Sequence, residues 1–222
     1  TDNNGLAYDA ENDLVLLSAR HKDAIVAVNK EDKSLAWILG DPTGWDGVDQ
    51  SYFFTPEGED FEWFYAQHNV SILDNGDIAL FDNGTAKVKR VDGDNRVSGD
   101  NVYSRAVVYQ IDTENMTVSQ VTEYGKERGA DWYSDWISGV VSLDGTQDHL
   151  WITAGSHLHS DEENRSDYYP KDMFVQGLTK TTHIDQVDNG ELSFELTISG
   201  DTYNALTLSL IHISEPTRPI SI

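Results

Sequence analysis

Val70-Ser71-Ile72-Leu73-Asp74-Asn75-Gly76-Asp77-Ile78-Ala79-Leu80-Phe81 is the stretch on which the fold turns. Two short runs of strand-forming residues flank an Asp-Asn-Gly turn. Asn-Gly supplies two positions that tolerate φ > 0, the backbone that a tight hairpin needs. The same device recurs at Asp188-Asn189-Gly190, ahead of Glu191-Leu192-Ser193-Phe194-Glu195-Leu196-Thr197-Ile198, which alternates with the period of two of a strand. Upstream, Leu14-Val15-Leu16-Leu17 and Ala24-Ile25-Val26-Ala27-Val28 have the same character. The polar turn Lys30-Glu31-Asp32-Lys33 then leads into Leu35-Ala36-Trp37-Ile38-Leu39. The helical period is nearly absent.

The hairpins return in units. Trp37-Ile38-Leu39-Gly40, Glu123-Tyr124-Gly125 and Thr197-Ile198-Ser199-Gly200 each close a strand, roughly 75–85 residues apart. Three other strands end in residues able to do chemistry: Leu17-Ser18-Ala19-Arg20-His21, Leu80-Phe81-Asp82-Asn83-Gly84 and Trp151-Ile152-Thr153-Ala154-Gly155-Ser156-His157. This spacing predicts an all-β chain forming a partial β-propeller, with about three four-stranded blades at roughly 5–60, 65–128 and 133–205. A β-sandwich would not require polar residues at equivalent strand ends. Three blades leave an edge and a face uncovered, so missing blades are expected, N-terminal to this stretch.

Composition narrows the function. Of 222 residues, 39 are acidic and 15 basic, a formal net charge of −24. That argues against a nucleic-acid partner, which needs clustered Lys and Arg. No apolar run approaches the ~20 residues that span a bilayer. Cysteine is absent, which removes disulfides, thiolate zinc sites and a Cys nucleophile. Asp92-Gly93-Asp94-Asn95 begins like a calcium loop, but Arg96 stands where an oxygen ligand is wanted and the later Glu is missing. Residues 208–222 resemble a translated sequencing adaptor and are set aside as a non-native tail, His212 included, leaving 1–207 as a fragment of one domain.

Six other histidines remain. His149 lies in a turn-like stretch and His183 at a strand start, so both read as surface or structural residues. His21 follows Arg20 at a strand end, and His68 opens a strand after an aromatic-rich loop. His157 and His159 follow Gly155-Ser156. In a propeller, such strand ends converge on the mouth of the central channel. His157-Leu158-His159, near Asp161, Glu162 and Glu163, is also a metal-pair alternative, since i and i+2 share a strand face.

Taken in order, Ser18-Ala19-Arg20-His21, Trp37-Ile38-Leu39-Gly40, Gln67-His68, Phe81-Asp82-Asn83-Gly84, Tyr103-Ser104-Arg105, Tyr109-Gln110-Ile111-Asp112, Glu123-Tyr124-Gly125-Lys126-Glu127-Arg128-Gly129 and Gly155-Ser156-His157 resemble the C-terminal half of the bacterial aryl-sulfate sulfotransferases. The resemblance implies a six-bladed, exported or periplasmic propeller that needs no cofactor. Such an enzyme passes a sulfuryl group from an aryl sulfate donor to a phenolic acceptor through a sulfurylated histidine. The full-length protein is expected to be a homodimer, and this fragment alone to be inactive.

Carried onto this chain, the resemblance makes His157 the candidate nucleophile. The family places one residue between Ser and His, whereas His157 follows Ser156 directly, so His159 stays an alternative. His68 would bind or protonate the bridging oxygen. For the family's arginine the candidates are Arg90, with Lys87 and Lys89 beside it, and Arg105. His21, Arg20, Asn83 and Asn69 are expected to bind substrate. Trp45, Phe53, Phe54, Phe61, Trp63, Phe64 and Tyr65 either stack on an aryl group or pack their own loop. Two other functions fit an all-β chain: a non-catalytic binding propeller, in which the histidines and arginines do not converge, and a metal-dependent hydrolase, in which His157, His159 and carboxylates surround one ion.

Overall fold

A computed structural model describes residues 3–85, 97–98, 103–159, 167–168 and 179–200. Three sheets account for most of them. The first is an antiparallel meander of β1 (Asn3–Asp9), β2 (Leu14–Ala19), β3 (Ala24–Asn29) and β4 (Leu35–Gly40). The second contains β5 (Thr55–Glu57), β6 (His68–Ile72), β7 (Ile78–Asp82), β9 (Arg105–Asp112) and β10 (Thr117–Tyr124), in the order β5-β10-β9-β7-β6; the short β8 (Val97–Ser98) lies outside it. The third is the meander β11 (Ser138–Ser142), β12 (His149–His159), β14 (Thr179–Asp188) and β15 (Glu191–Ser199), and the two-residue β13 (Asp167–Tyr168) pairs with β8.

The two Asn-Gly turns differ. Asn189 and Gly190 have φ of 51° and 82° and join Asp188 directly to Glu191, the tight hairpin expected of both. At Asn75-Gly76 only the glycine is left-handed, at φ 87°. There the loop is wider, because the Leu73 N–H donates to Asp77 O at 2.9 Å and the Asn75 side chain accepts from Asp77 N–H at 3.1 Å. A five-residue connection between the paired Ile72 and Ile78 results.

The unit boundaries hold with one correction. β5 was expected in the first unit, yet it adds to the second sheet by pairing in parallel with β10. The equivalences between units hold: β4, β10 and β15 are each the last strand of their meander, and β2, β7 and β12 each the second.

The first strands β1, β6 and β11 lie side by side, with β6 in the middle. The second sheet is therefore covered on both faces, and its strands show it. On β7, Ile78 and Leu80 enter the core shared with the first sheet, while Ala79 and Phe81 enter the core shared with the third. On β9, Val107 and Tyr109 go one way, Ala106 and Val108 the other. Burial on both faces explains why these strands read as continuous apolar runs. The seam between β1 and β6 is closed backbone to backbone: a Cβ on Gly5 would stand 2.8 Å from the Asn69 carbonyl carbon. Among the described residues no helix is long and apolar enough to cross a membrane.

Candidate active site

His68 opens β6 and is buried. Its Nδ1 lies 2.7 Å from Asn83 Oδ1, and its Nε2 accepts the backbone N–H of Ile137 at 3.2 Å. Asn83 follows β7 directly and donates its Nδ2–H to Ser134 O at 2.7 Å. That bond makes Oδ1 the acceptor, so the histidine proton sits on Nδ1. The neighbouring Asn69 holds a left-handed φ of 64° and donates its side-chain amide to Val140 O at 2.9 Å. Gln67, one residue before His68, donates to Ala24 O at 2.9 Å and Ser18 Oγ at 3.2 Å. The first sheet thereby anchors the strand that carries the histidine.

His157 stands near the end of β12, 1% exposed. Its Nδ1 lies 2.8 Å from Tyr133 O, an acceptor only, so Nδ1 carries the proton and the ring's lone pair belongs to Nε2. Residues 133–138 lead into β11 and thus hold both histidines. Tyr133 O fixes His157, Ile137 N–H meets His68, and Ser134 O fixes the amide that faces His68. Ser104 Oγ secures the same segment by accepting from Ser134 N–H at 2.9 Å. The Arg20 guanidinium approaches from the first sheet, 3.5 Å from Asp135 O. His68, Asn83, Asn69, Arg20 and His157 are thus gathered around residues 133–140, although they come from three sheets.

Other candidates fall elsewhere. Arg105 is buried, and every guanidinium nitrogen donates within the protein: Nε to Asp82 at 3.0 Å, Nη1 to Gln120 at 3.0 Å and to Glu123, Nη2 to Glu62 O at 3.0 Å and Tyr109 Oη at 3.2 Å. Burial works against its charge, but Tyr109, Asp82 and Glu123 outweigh that and hold the guanidinium above its ordinary pKa. The expectation that Arg105 meets a sulfuryl group does not fit this placement, because its donors are already committed. Asp82, its partner, accepts from Tyr65 N–H at 2.9 Å and Gly84 N–H at 3.0 Å, so the cluster shapes the turn that presents Asn83. His21 is exposed on a 3-10 turn. Arg90, Lys87, Lys89 and the calcium-like Asp92-Gly93-Asp94-Asn95 lie outside the described residues, as does the tail. The His159 backbone pairs with Thr179, and its side chain lies outside the described set. Most of the aromatic loop packs: Phe53, Phe54, Phe64 and Tyr65 are buried, and Phe54 meets Trp37 edge to face at 5.5 Å. Among the described residues no group of three or more His, Cys, Asp or Glu is placed to hold a metal ion.

The family described as arylsulfotransferase (ASST) matches residues 1–207. The chain belongs to this arylsulfotransferase family. It is 32% identical over 196 residues to the arylsulfate sulfotransferase AssT of Escherichia coli O6:H1 (strain CFT073), covering 78% of this chain and 32% of that protein. It is 33% identical over the same length to the arylsulfate sulfotransferase AssT of Lelliottia amnigena, with the same coverage. The chain spans about a third of the length of these relatives.

Within this member of the arylsulfotransferase family, the sequence concealed the supports rather than the histidines. Tyr133 and Ile137 act through backbone groups, which leave no side-chain signal. His183, read as a structural residue, packs edge to face on His157 with ring centroids 5.7 Å apart. Its own Nδ1 faces Glu195 at 3.6 Å and Thr197 Oγ1 at 3.4 Å. Behind it, buried Asp185 pairs with Arg128 at 2.8 Å, and burial pushes its carboxyl up to about 6. Arg128 belongs to the Glu-Tyr-Gly-Lys-Glu-Arg-Gly stretch, which therefore ties the second sheet to the third beside the histidine pair.

Proposed function

We propose that this chain is part of an aryl-sulfate sulfotransferase that moves a sulfuryl group from an aryl sulfate ester to a phenol through a sulfurylated His157. The observation that carries the proposal is the His157 Nδ1–H bond to Tyr133 O at 2.8 Å. It holds the neutral ring in the tautomer whose Nε2 lone pair attacks sulfur. In the first step the Nε2–S bond forms and the S–O bond to the aryl oxygen breaks, releasing a phenol once that oxygen takes a proton. In the second, the acceptor oxygen attacks sulfur, the N–S bond breaks, and the acceptor's proton is passed to the site.

His68 suits the leaving-group role as an imidazolium. Asn83 Oδ1 accepts from Nδ1–H in either charge state, while a protonated Nε2 must exchange the Ile137 N–H for the bridging oxygen. With the Arg105 donors committed, the basic run that includes Arg90 is the assigned partner of the sulfuryl oxygens, as planar donors suit them. The side-by-side first strands and the three successive meanders support a propeller of which this chain forms three blades. On the same reading the complete enzyme is exported, six-bladed and dimeric, and this chain alone does not turn over, because part of the channel rim lies on other blades.

The test uses the full-length protein carrying this sequence, incubated with 4-nitrophenyl sulfate with and without a phenol acceptor. Nitrophenol release, with an acid-labile gain of one sulfuryl group on the His157 peptide and loss of both in His157→Ala, is the expected result. Loss confined to His159→Ala moves the nucleophile to His159. A folded protein that releases nothing leaves a non-catalytic binding propeller.

A further inference from the structure

Between Ala154 and His157, β12 carries two residues, Gly155 and Ser156, opposite the single Thr182 of β14. The extra residue is a β-bulge, and it decides where His157 points. Side chains alternate along a strand, so without the bulge Ser156 would stand opposite Thr181 and His157 would turn to the other face of the sheet. With it, His157 pairs with Thr181 and shares the face of His183, where the two rings meet.

The backbone groups of the bulge are met by three hydroxyls. Ser156 N–H donates to Ser134 Oγ at 2.9 Å, and Gly155 N–H to Ser138 Oγ at 3.2 Å. Thr182 Oγ1 lies 2.9 Å from Gly155 O and equally close to Gly200 O. All three side chains are buried: Ser134 and Thr182 at 0% exposure and Ser138 at 3%. Buried peptide groups left unmet are costly, so a bulge this deep persists only where something else satisfies it. Removing one hydroxyl orphans a group inside the bulge and favours a regular ladder, in which His157 leaves the site.

We infer that Ser134, Ser138 and Thr182 are positioning residues: they lock the bulge and so select His157 as the histidine presented to the sulfuryl donor. The inference rests on His157 being the nucleophile. It also extends the role of residues 133–138, since the segment that orients both rings through Tyr133 O and Ile137 N–H sets the register of β12 as well.

Thr182→Val keeps the shape and removes the hydroxyl, whereas Thr182→Ser keeps the hydroxyl. In the full-length protein acting on 4-nitrophenyl sulfate, Thr182→Val and Ser134→Ala should lower kcat by roughly 10–100-fold per folded molecule, with KM changed by less than about twofold, as small misplacements of a reacting group do. Thr182→Ser should restore most of the rate. In nitrogen-15 spectra, the protected Nδ1–H signal of His157 should be lost in Thr182→Val and present in Thr182→Ser. Wild-type kcat with an unchanged His157 signal in Thr182→Val overturns the inference. Equal impairment of the Val and Ser variants does the same, because it marks a packing role. If the unsubstituted protein transfers no sulfuryl group, the proposed function fails instead, and the His157 signal in Thr182→Val still decides whether the hydroxyl holds the ring.

Discussion

His68 Nδ1 sits 2.7 Å from Asn83 Oδ1, a pairing that spans the hairpin of β6 and β7 and is completed by Asn83 Nδ2–H to Ser134 O. The amide reads the histidine on one side and the third sheet on the other. Replacing it with a carboxylate changes both contacts. Asn83→Asp puts a negative charge against Nδ1–H, which favours the imidazolium, and sets two acceptors against each other at Ser134 O. The His68 pKa should rise by about one unit or more. Titration followed by NMR checks this, and an unchanged curve would show that the ring is not held by residue 83.

Arg105 is a buried cation among Asp82, Glu123 and Glu62. Arg105→Leu leaves the buried Asp82 carboxylate without its partner and should destabilise the protein by about 3–5 kcal/mol, read from urea unfolding. Arg105→Lys keeps the charge but not the fork of donors, so its loss should be smaller. A Leu variant as stable as the wild type would mean that the cluster is dispensable.

Gly5 has no room for a side chain, since its Cβ would meet the Asn69 backbone at 2.8 Å. Gly5→Ala should push β1 from β6 and reduce stability by about 1–3 kcal/mol, the usual range for overpacking. Because β6, the strand that the new methyl presses on, carries His68, the His68 resonances should shift in the same variant. Stability lost without any His68 shift would confine the strain to β1.

Asp185 makes stability depend on pH. Burial raises its carboxyl from the ordinary 3.8 to about 6 in spite of Arg128. The folded state therefore binds this proton more tightly than the unfolded chain. The contribution is complete below the unfolded value and disappears as pH rises through about 6. Asp185→Asn lacks this dependence, so the melting temperature of the wild type relative to the variant should fall between about pH 4 and 6 and then level off. A difference that is flat across that range would show the Asp185 carboxyl to be ionised throughout.

Much of this protein was legible in its sequence because strands announce themselves locally. Alternation in residues 191–198, apolar runs at residues 24–28 and 78–81, and glycines at the closing strand ends follow from the two-residue period and from φ > 0 turns. The ordered motifs likewise brought out His68 and His157. The sequence could not place β5, because a three-residue edge strand is chosen by the neighbour it reaches, here β10, and not by its own composition. Nor could it show Arg105 to be committed, since that depends on Glu62, Asp82 and Glu123 arriving from separate segments. The direction of His157 was equally hidden. One extra residue at Gly155-Ser156 reverses the alternation, and the hydroxyls that hold it come from residues 134, 138 and 182. Sequence alone thus determined the strands, their repeat and the residue types available for chemistry, because those depend on neighbours along the chain. Tertiary structure alone decided which side chains converge and which are spent on the fold, because hydrogen bonds to backbone groups and the register of paired strands arise only once distant segments meet.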